Sequence, residues 1–333
     1  GEDAAIHKLL VYSHLPDFAC NLENFRKQNQ LQYDLVFSHY WLSGLVGTYL
    51  QGWWNVPHVI MFHTLGAIKN AIGVGEDEPE LRIKAEKDLV GKCHHIIAST
   101  EMEKTELTRL YGAPPERIGI VPCGVNLDLF RPIDKDTAKK HVGITDDKVI
   151  IFVGRIEPLK GLELLLRAMT YLRNGRKPRL IIIGGDENSN NEMGRLASLS
   201  RKLDITDSVI FKGMIKHENL PYFYSAAHVC AIPSYYESFG LVALESMACG
   251  TPVVATDVGD LNSIINPGES GYIVTDDTPR DLADKIALIL TLSNPDMKSA
   301  LQIRESITHF SWSNISQRII GEFCELLALY SSR

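Results

Sequence analysis

The stretch PSYYESFGLVALE at residues 233–245 places two carboxylates around the start of a predicted helix. The apolar residues 229–232 before it predict a buried strand, and helical spacing begins after Gly240. Glu237 lies in the intervening turn and Glu245 lies within the helix. Backbone N–H groups at a helix N-terminus are free to bind an anion. Two carboxylates beside such an anion site suit a ligand with hydroxyls at both ends and phosphate in the middle, which describes a nucleotide sugar.

A basic turn, GRIEPLKG at residues 154–161, follows another predicted strand and precedes a helix. Its Arg155 and Lys160 supply the guanidinium and the ammonium that a diphosphate requires. The turn lacks the order of a P-loop, and the chain lacks a G-x-G-x-x-G fingerprint, so a nicotinamide dehydrogenase and a nucleotide-sugar epimerase are disfavoured. The alternatives are a solvated basic turn here and, for Glu237, a carboxylate that only favours the helix dipole.

Two further turns at strand ends lie in the first half of the chain. FHTLG places His63 after a strand, and SHYWLSG at residues 38–44 offers aromatic and hydroxyl groups that suit a polyol. A lone histidine at a strand end is more often structural than catalytic, and Trp41 could equally be part of the core. Paired carboxylates for glycoside hydrolysis are not evident, because Glu237 and Glu245 lie on one element rather than across a sugar.

Short apolar strands alternate with helical segments along the chain, which predicts α/β architecture with two doubly wound, Rossmann-like parallel sheets. The first series has predicted strands at 33–39, 56–62, 95–100 and 118–121 and helices at 42–51, 79–93 and 101–111. The second has strands at 148–154, 179–185, 209–211, 229–232, 251–256 and 271–274 and helices at 162–172, 191–203, 220–227 and 241–247. The polar segment 131–147 between the two series is the predicted linker.

Composition narrows the class of protein. A net charge of −7 argues against a nucleic-acid partner, which would require clustered Lys and Arg. No signal peptide or transmembrane segment is predicted, because the apolar runs are far shorter than a membrane span. The six cysteines are scattered without a C-x-x-C pair, which is typical of reduced, buried thiols in a cytoplasmic protein.

Taken together, these motifs resemble the retaining glycosyltransferases of family 4, which have GT-B architecture. The resemblance covers nearly the whole chain and is closest to the sucrose-phosphate synthase group and to the inositol-phosphate N-acetylglucosaminyltransferase of mycothiol synthesis. The motifs that carry it are SHYWLSG at 38–44, FHTLGAIKN at 62–70, GRIEPLKG at 154–161 and PSYYESFGLVALESMACGTPVVAT at 233–256.

The resemblance implies a role for each site residue. Arg155 and Lys160 would hold the donor diphosphate and neutralise the leaving group, and Glu237 would bind hydroxyls of the donor sugar. Glu245 would accept hydrogen bonds from the ribose, and His63 would contact the transferred sugar near its reacting carbon. Backbone groups of Ile215 would hold the base, and the backbone N–H groups of Phe239, Gly240 and Leu241 would complete the donor site. The acceptor and its phosphate would be held by Lys8, Tyr40, Thr64 and Arg82.

The implied reaction moves a hexosyl group from a nucleoside diphosphate sugar, with uridine as the expected base, to a small polar acceptor such as a sugar phosphate or inositol phosphate. The stereochemistry would be retained, and no metal or other cofactor is expected because Arg155 and Lys160 would neutralise the leaving group. The alternatives are an acceptor that is a glycan or a lipid, or a non-catalytic, truncated relative that binds nucleotide sugars.

The same resemblance divides the chain into domains. Residues 1–130 would form the acceptor-side domain, 148–310 the donor domain, and 311–333 a helix that crosses back to the first domain. Members of the family open with a strand and a glycine-rich loop. No such loop precedes Lys8, so the first domain is expected to be truncated at its N-terminus.

Overall fold

The computed structural model describes residues 8–172, 177–185, 189–291 and 297–331; the side chain of Lys8 lies outside this description. The chain forms two compact units. The first consists of Gly1–Pro122 together with Ser316–Arg333, and the second of Cys123–Ile315. Both are built on parallel sheets with helical crossovers, as the alternation of strands and helices predicts.

The described part of the first unit holds a parallel sheet of four strands in the order β1-β2-β3-β4. The strands are β1 Val36–His39, β2 His58–Met61, β3 His95–Ala98 and β4 Ile118–Ile120. The helices are α1 Lys8–Tyr12, α2 Leu15–Gln28, α3 Tyr40–Trp54, α4 Gly66–Ile72, α5 Glu80–Lys92 and α6 Glu101–Tyr111. The core packs Trp41 against Phe62, Leu65 and Leu89, each with no exposed surface, so Trp41 is a core residue.

The last helix of the chain packs on the sheet of the first unit. It is α15 in our numbering and spans Trp312–Ser331. Glu322 Oε2 lies 2.7 Å from His95 Nε2 on β3, and the ring of Phe323 meets Phe37 on β1 edge-on, with 5.0 Å between centroids. The C-terminal helix therefore packs against a sheet whose four strands all lie before residue 123.

The second unit contains a parallel sheet with the order β10-β9-β8-β5-β6-β7 among the described residues. Its strands are β5 Val149–Val153, β6 Arg179–Ile183, β7 Val209–Gly213, β8 Val229–Ile232, β9 Val253–Thr256 and β10 Gly271–Val274. The order reverses between β5 and β8, whose register pairs Ile150 with Val229. In open parallel sheets, ligands bind beyond the carboxyl ends of the strands at such a reversal.

The helices of the second unit include one inside the predicted linker. They are α7 Lys135–Val142, α8 Leu162–Met169, α9 Asn190–Lys202, α10 Leu220–Ala226, α11 Leu241–Ala248, α12 Leu261–Ile264, α13 Pro279–Thr291 and α14 Met297–Glu305. Helix α7 begins where Asp134 accepts a hydrogen bond from the backbone N–H of Thr137 at 2.9 Å, and it ends at the left-handed Gly143. It packs on α10 through the stacked rings of His141 and Tyr222, 3.8 Å apart.

Candidate active site

The predicted sugar-binding carboxylate and the predicted phosphate-binding lysine are in direct contact. Lys160 Nζ donates to Glu237 Oε1 at 2.7 Å, and the hydroxyl of Ser234 donates to the same oxygen at 2.8 Å. Lys160 lies in a short 3-10 turn after β5, and Glu237 lies in the turn after β8. The pair therefore lies at the reversal of strand order, with each side chain about one-sixth exposed (17% and 15%).

Two glycines allow close backbone packing around these turns: Gly161 lets the two turns approach each other, and Gly240 lets the second turn pack on α12. Gly161 has a φ of 64°, and a Cβ there would collide with the carbonyl of Pro233. Gly240 has a φ of 110°, and a Cβ there would lie 2.5 Å from a methyl carbon of Leu261. Gly240 caps α11, which begins at the exposed Leu241, and the side chain of Phe239 is buried against Phe310. The helix thus begins where an anion site was predicted.

Arg155 and Ile215 line one cavity of about 500 Å³, as the assignments of phosphate and base require. The cavity is also lined by Gly184 and Gly185, which follow β6 and leave the backbone uncovered. Arg155 is largely exposed (69%) and pairs with Glu157 at 2.9 Å. The mixture of guanidinium, backbone and aliphatic surface suits a nucleoside with an attached phosphate.

Glu245 lies in α11 and is held at both carboxylate oxygens. The phenol of Tyr224 donates to Oε2 at 2.8 Å, and His217 Nε2 lies 3.1 Å from Oε1. The ring of Phe130 makes edge contacts with both partners. The carboxylate is therefore oriented before any ligand binds.

In the first unit, Tyr40 and His63 follow the adjacent strands β1 and β2 and both adopt left-handed backbone conformations, with φ of 72° and 63°. Such conformations are costly for residues other than glycine and cluster at functional sites. The Nε2 atom of His63 lies 2.8 Å from Nδ1 of His39. Burial and the nearby His39 lower the pKa of His63 to about 4, and burial also lowers the pKa of His39. Both imidazoles are therefore neutral at neutral pH.

Arg82 is buried and supports the other predicted acceptor residues. Its guanidinium donates to the carbonyl and the hydroxyl of Thr64 at 2.8 and 2.9 Å, and it lies 5.0 Å from the centroid of the Tyr40 ring. It also contacts Glu86 at 2.6 Å and Glu78 at 2.9 Å. With a side chain only 1% exposed, Arg82 contributes by fixing Thr64 and Tyr40. Its direct contact with an acceptor stays a prediction, and the side chain of Lys8 lies outside the described residues.

Comparison with known proteins assigns the family. Residues 134–307 match the family model described as Glycosyl transferases group 1, and residues 6–129 match the model described as Glycosyltransferase Family 4. The chain belongs to the family 4 glycosyltransferases of GT-B fold. The resemblance drawn from the four motifs is therefore confirmed, and the chain is a glycosyltransferase.

Named relatives of this glycosyltransferase share most of its length. It is 41% identical over 308 residues to the D-inositol 3-phosphate glycosyltransferase of Acidothermus cellulolyticus, covering 89% of this chain and 68% of that protein. The same enzyme of Mycolicibacterium smegmatis is 40% identical, over 90% of this chain and 69% of its own. The sucrose-phosphate synthase structure from Thermosynechococcus elongatus matches with a TM-score of 0.86 and 32% identity, over 99% of this chain and 82% of that one.

Several residues of the site were not predicted from the sequence. They are the partners of the predicted residues: Ser234 on Glu237, Tyr224 and His217 on Glu245, and His39 on His63. His39 lies inside a quoted motif, so its position beside Tyr40 was a usable signal. The structure also shows no helix, among the described residues, that is long and apolar enough to cross a membrane.

Proposed function

We propose that this glycosyltransferase moves a hexosyl group from a uridine diphosphate sugar to a small polar acceptor that carries a phosphate. The observation that carries this proposal is the pair of Lys160 and Glu237, which join the ends of β5 and β8 at the reversal of strand order. An ammonium and a carboxylate there are 2.7 Å apart. A ligand with a diphosphate next to a polyol would satisfy both groups, because lysine keeps further N–H donors after pairing with Glu237.

The surroundings of the pair support the rest of the donor. A nucleoside fits the cavity lined by Arg155 and Ile215, and the guanidinium would be shared between Glu157 and the diphosphate. The ribose hydroxyls would donate to Glu245, and the start of α11 after Gly240 would bind a phosphate or hydroxyl oxygen through backbone N–H groups. Uridine is the base we propose by family resemblance.

The acceptor is proposed from the relatives and from the first unit. The curated relatives are named for D-inositol 3-phosphate, and the solved relative is a sucrose-phosphate synthase. The hydroxyls of Tyr40 and Thr64, fixed by Arg82, offer donors and acceptors of the kind a sugar phosphate or inositol phosphate needs. We assign Lys8 to the same phosphate as part of the proposal.

The proposed reaction retains configuration at the anomeric carbon. The acceptor hydroxyl oxygen forms a bond to that carbon on the face from which the diphosphate leaves, and the bond between the carbon and the phosphate oxygen breaks. The hydroxyl proton passes to the departing phosphate oxygen. Arg155 and Lys160 neutralise the charge that develops there, and His63 positions the transferred sugar. We propose that these two cations suffice without a metal ion.

The donor assignment is tested by calorimetric titration with UDP, GDP and ADP. We expect UDP to bind most tightly, and the double variant Arg155→Ala, Lys160→Ala to bind it at least about 10-fold more weakly, because charge-assisted hydrogen bonds are worth about 1.5–3 kcal/mol each. Arg167→Ala is the matched control, since Arg167 pairs with Glu163 on α8. Unchanged affinity in the double variant would show that Arg155 and Lys160 do not bind the donor. Tighter binding of GDP or ADP would show that the donor base is guanine or adenine rather than uracil.

Transfer is tested with UDP-glucose or UDP-N-acetylglucosamine as donor and with fructose 6-phosphate or inositol 3-phosphate as acceptor, with and without EDTA. We expect α-configured product from either α-configured donor at an unchanged rate in EDTA, and a kcat/KM about 10- to 100-fold lower in Glu237→Gln. Glu106→Gln is the control, because Glu106 pairs with Arg109 on α6 and takes part in none of the proposed donor or acceptor contacts. UDP binding without transfer to any acceptor would favour the non-catalytic alternative, and transfer only to glycans or lipids would change the acceptor class.

A further inference from the structure

The predicted ribose-binding carboxylate is anchored from inside the second unit. Tyr224 lies on α10 with no exposed surface, and its phenol donates to Glu245 Oε2 at 2.8 Å. The carbonyl of Tyr224 accepts a hydrogen bond from the hydroxyl of Thr251 at 2.7 Å, which fixes the end of α10. Burial raises the pKa of the Tyr224 phenol well above its usual range, so the phenol remains a donor throughout the working pH range.

The two partners of Glu245 differ in burial. Tyr224 is enclosed, whereas the side chain of His217 is 62% exposed and lies 3.1 Å from Oε1. A carboxylate has about four lone-pair directions, so two remain after these contacts. Two acceptor directions match the two hydroxyls of a ribose, provided that the carboxylate keeps its orientation.

We propose that Tyr224 is a positioning residue for the donor, which holds Glu245 in the rotamer that accepts both ribose hydroxyls. This inference rests on the proposed function, since it assumes that Glu245 meets the ribose. Without the phenol, the glutamate side chain would have to be immobilised when the ligand binds. Ordering a side chain on binding opposes binding, so the loss of Tyr224 should weaken donor binding by about 3- to 10-fold.

The test compares two probes in two variants by calorimetry. We expect Tyr224→Phe to bind UDP about 3- to 10-fold more weakly than the unchanged chain. For 2′,3′-dideoxyuridine diphosphate, which lacks both ribose hydroxyls, Tyr224→Phe and the unchanged chain should have the same affinity. Tyr222→Phe is the matched control, because Tyr222 lies on the same helix but its ring stacks on His141 and is not bonded to Glu245. It should leave both affinities unchanged.

The outcomes separate this inference from the proposed function. Equal weakening with both probes would show that Tyr224 acts only on the packing of α10, and no weakening with either would show that Glu245 needs no anchor. Each result would overturn the inference while Glu245→Ala still weakened UDP binding. If Glu245→Ala left UDP binding unchanged, the ribose assignment itself would be wrong. In steady-state assays, we expect Tyr224→Phe to raise the donor KM with little change in kcat.

Discussion

Replacing Arg82 by methionine keeps a long side chain in a buried position and removes its charge. The guanidinium contacts Glu86 at 2.6 Å, Glu78 at 2.9 Å and the Thr64 hydroxyl at 2.9 Å. In the variant, Glu78 keeps its ion pair with Lys69 at 2.5 Å. Glu86 has no exposed surface and, among the described residues, keeps only the neutral donors of a backbone N–H and a tyrosine hydroxyl. The loss of stability in Arg82→Met should therefore come mainly from the carboxylate of Glu86, which is left buried without a cation.

Removing one partner of a buried ion pair is expected to cost about 3–5 kcal/mol of the free energy of unfolding. Urea unfolding followed by tryptophan fluorescence measures this loss, because three of the four tryptophans, Trp41, Trp53 and Trp54, lie in the first unit. Arg109→Met is the control, since Arg109 is 60% exposed and pairs with Glu106 on the surface of α6. Its loss should stay within about 1 kcal/mol.

A second variant tests whether the uncompensated charge is the cause. Arg82→Met combined with Glu86→Gln keeps an acceptor for Tyr111 and for the backbone N–H of Gly66 and removes the unpaired carboxylate. We expect the double variant to be about 1–3 kcal/mol more stable than Arg82→Met alone. The reasoning would be refuted if Arg82→Met lost no more stability than Arg109→Met, or if the second substitution destabilised the chain further.

Gly240→Ala should lower the free energy of unfolding by about 1–3 kcal/mol and weaken UDP binding, because a left-handed φ and a contact with Leu261 both oppose a Cβ. Gly194→Ala, in open space on α9, should instead gain about 0.5–1 kcal/mol in thermal or urea unfolding; equal effects would contradict the argument. Glu103→Gln should abolish a pH-dependent loss of stability. Burial raises the pKa of Glu103 in the folded state. Between the pKa of the unfolded state and this raised pKa, the folded state binds more protons, so the free energy of unfolding falls as the pH rises. Urea midpoints at pH 5 and pH 8 that change equally in both chains would contradict this.

The sheets and the chemistry at their strand ends could be predicted from the sequence. Apolar runs such as residues 229–232 end abruptly at polar turns, and a turn after a parallel strand lies at the ligand-binding edge of the sheet. That rule places the turns that carry Glu237 and Lys160 at the same edge of the sheet, although the two residues are far apart in the chain; their direct contact was not predicted. Helix α6 was predicted with its observed ends, 101–111, and Gly112 closes it as expected; the structure adds Thr100, which caps its first turn.

The partners of the site residues could not be predicted in the same way. Tyr224 lies in an apolar helix where its ring reads as core, and only the fold brings its hydroxyl to Glu245. Arg82 reads as a free cation on a polar helix, and its burial depends on two carboxylates that converge in space. Helix α7 was assigned to a linker because its residues are polar, and its packing on α10 comes from a histidine ring that stacks on Tyr222.

The composition of the first unit has a consequence for biosynthesis. Its sheet comes from residues before 123, but Ser316–Arg333 belongs to it as well, and residues 123–315 are synthesised between these two parts. As the ribosome releases the chain, the second unit can fold completely while the first still lacks α15 and leaves Phe37 and His95 without Phe323 and Glu322. The first unit to begin is thus the last that can complete its packing, and a nascent chain that stalls before residue 316 would hold all of the second unit and a first unit without its C-terminal helix.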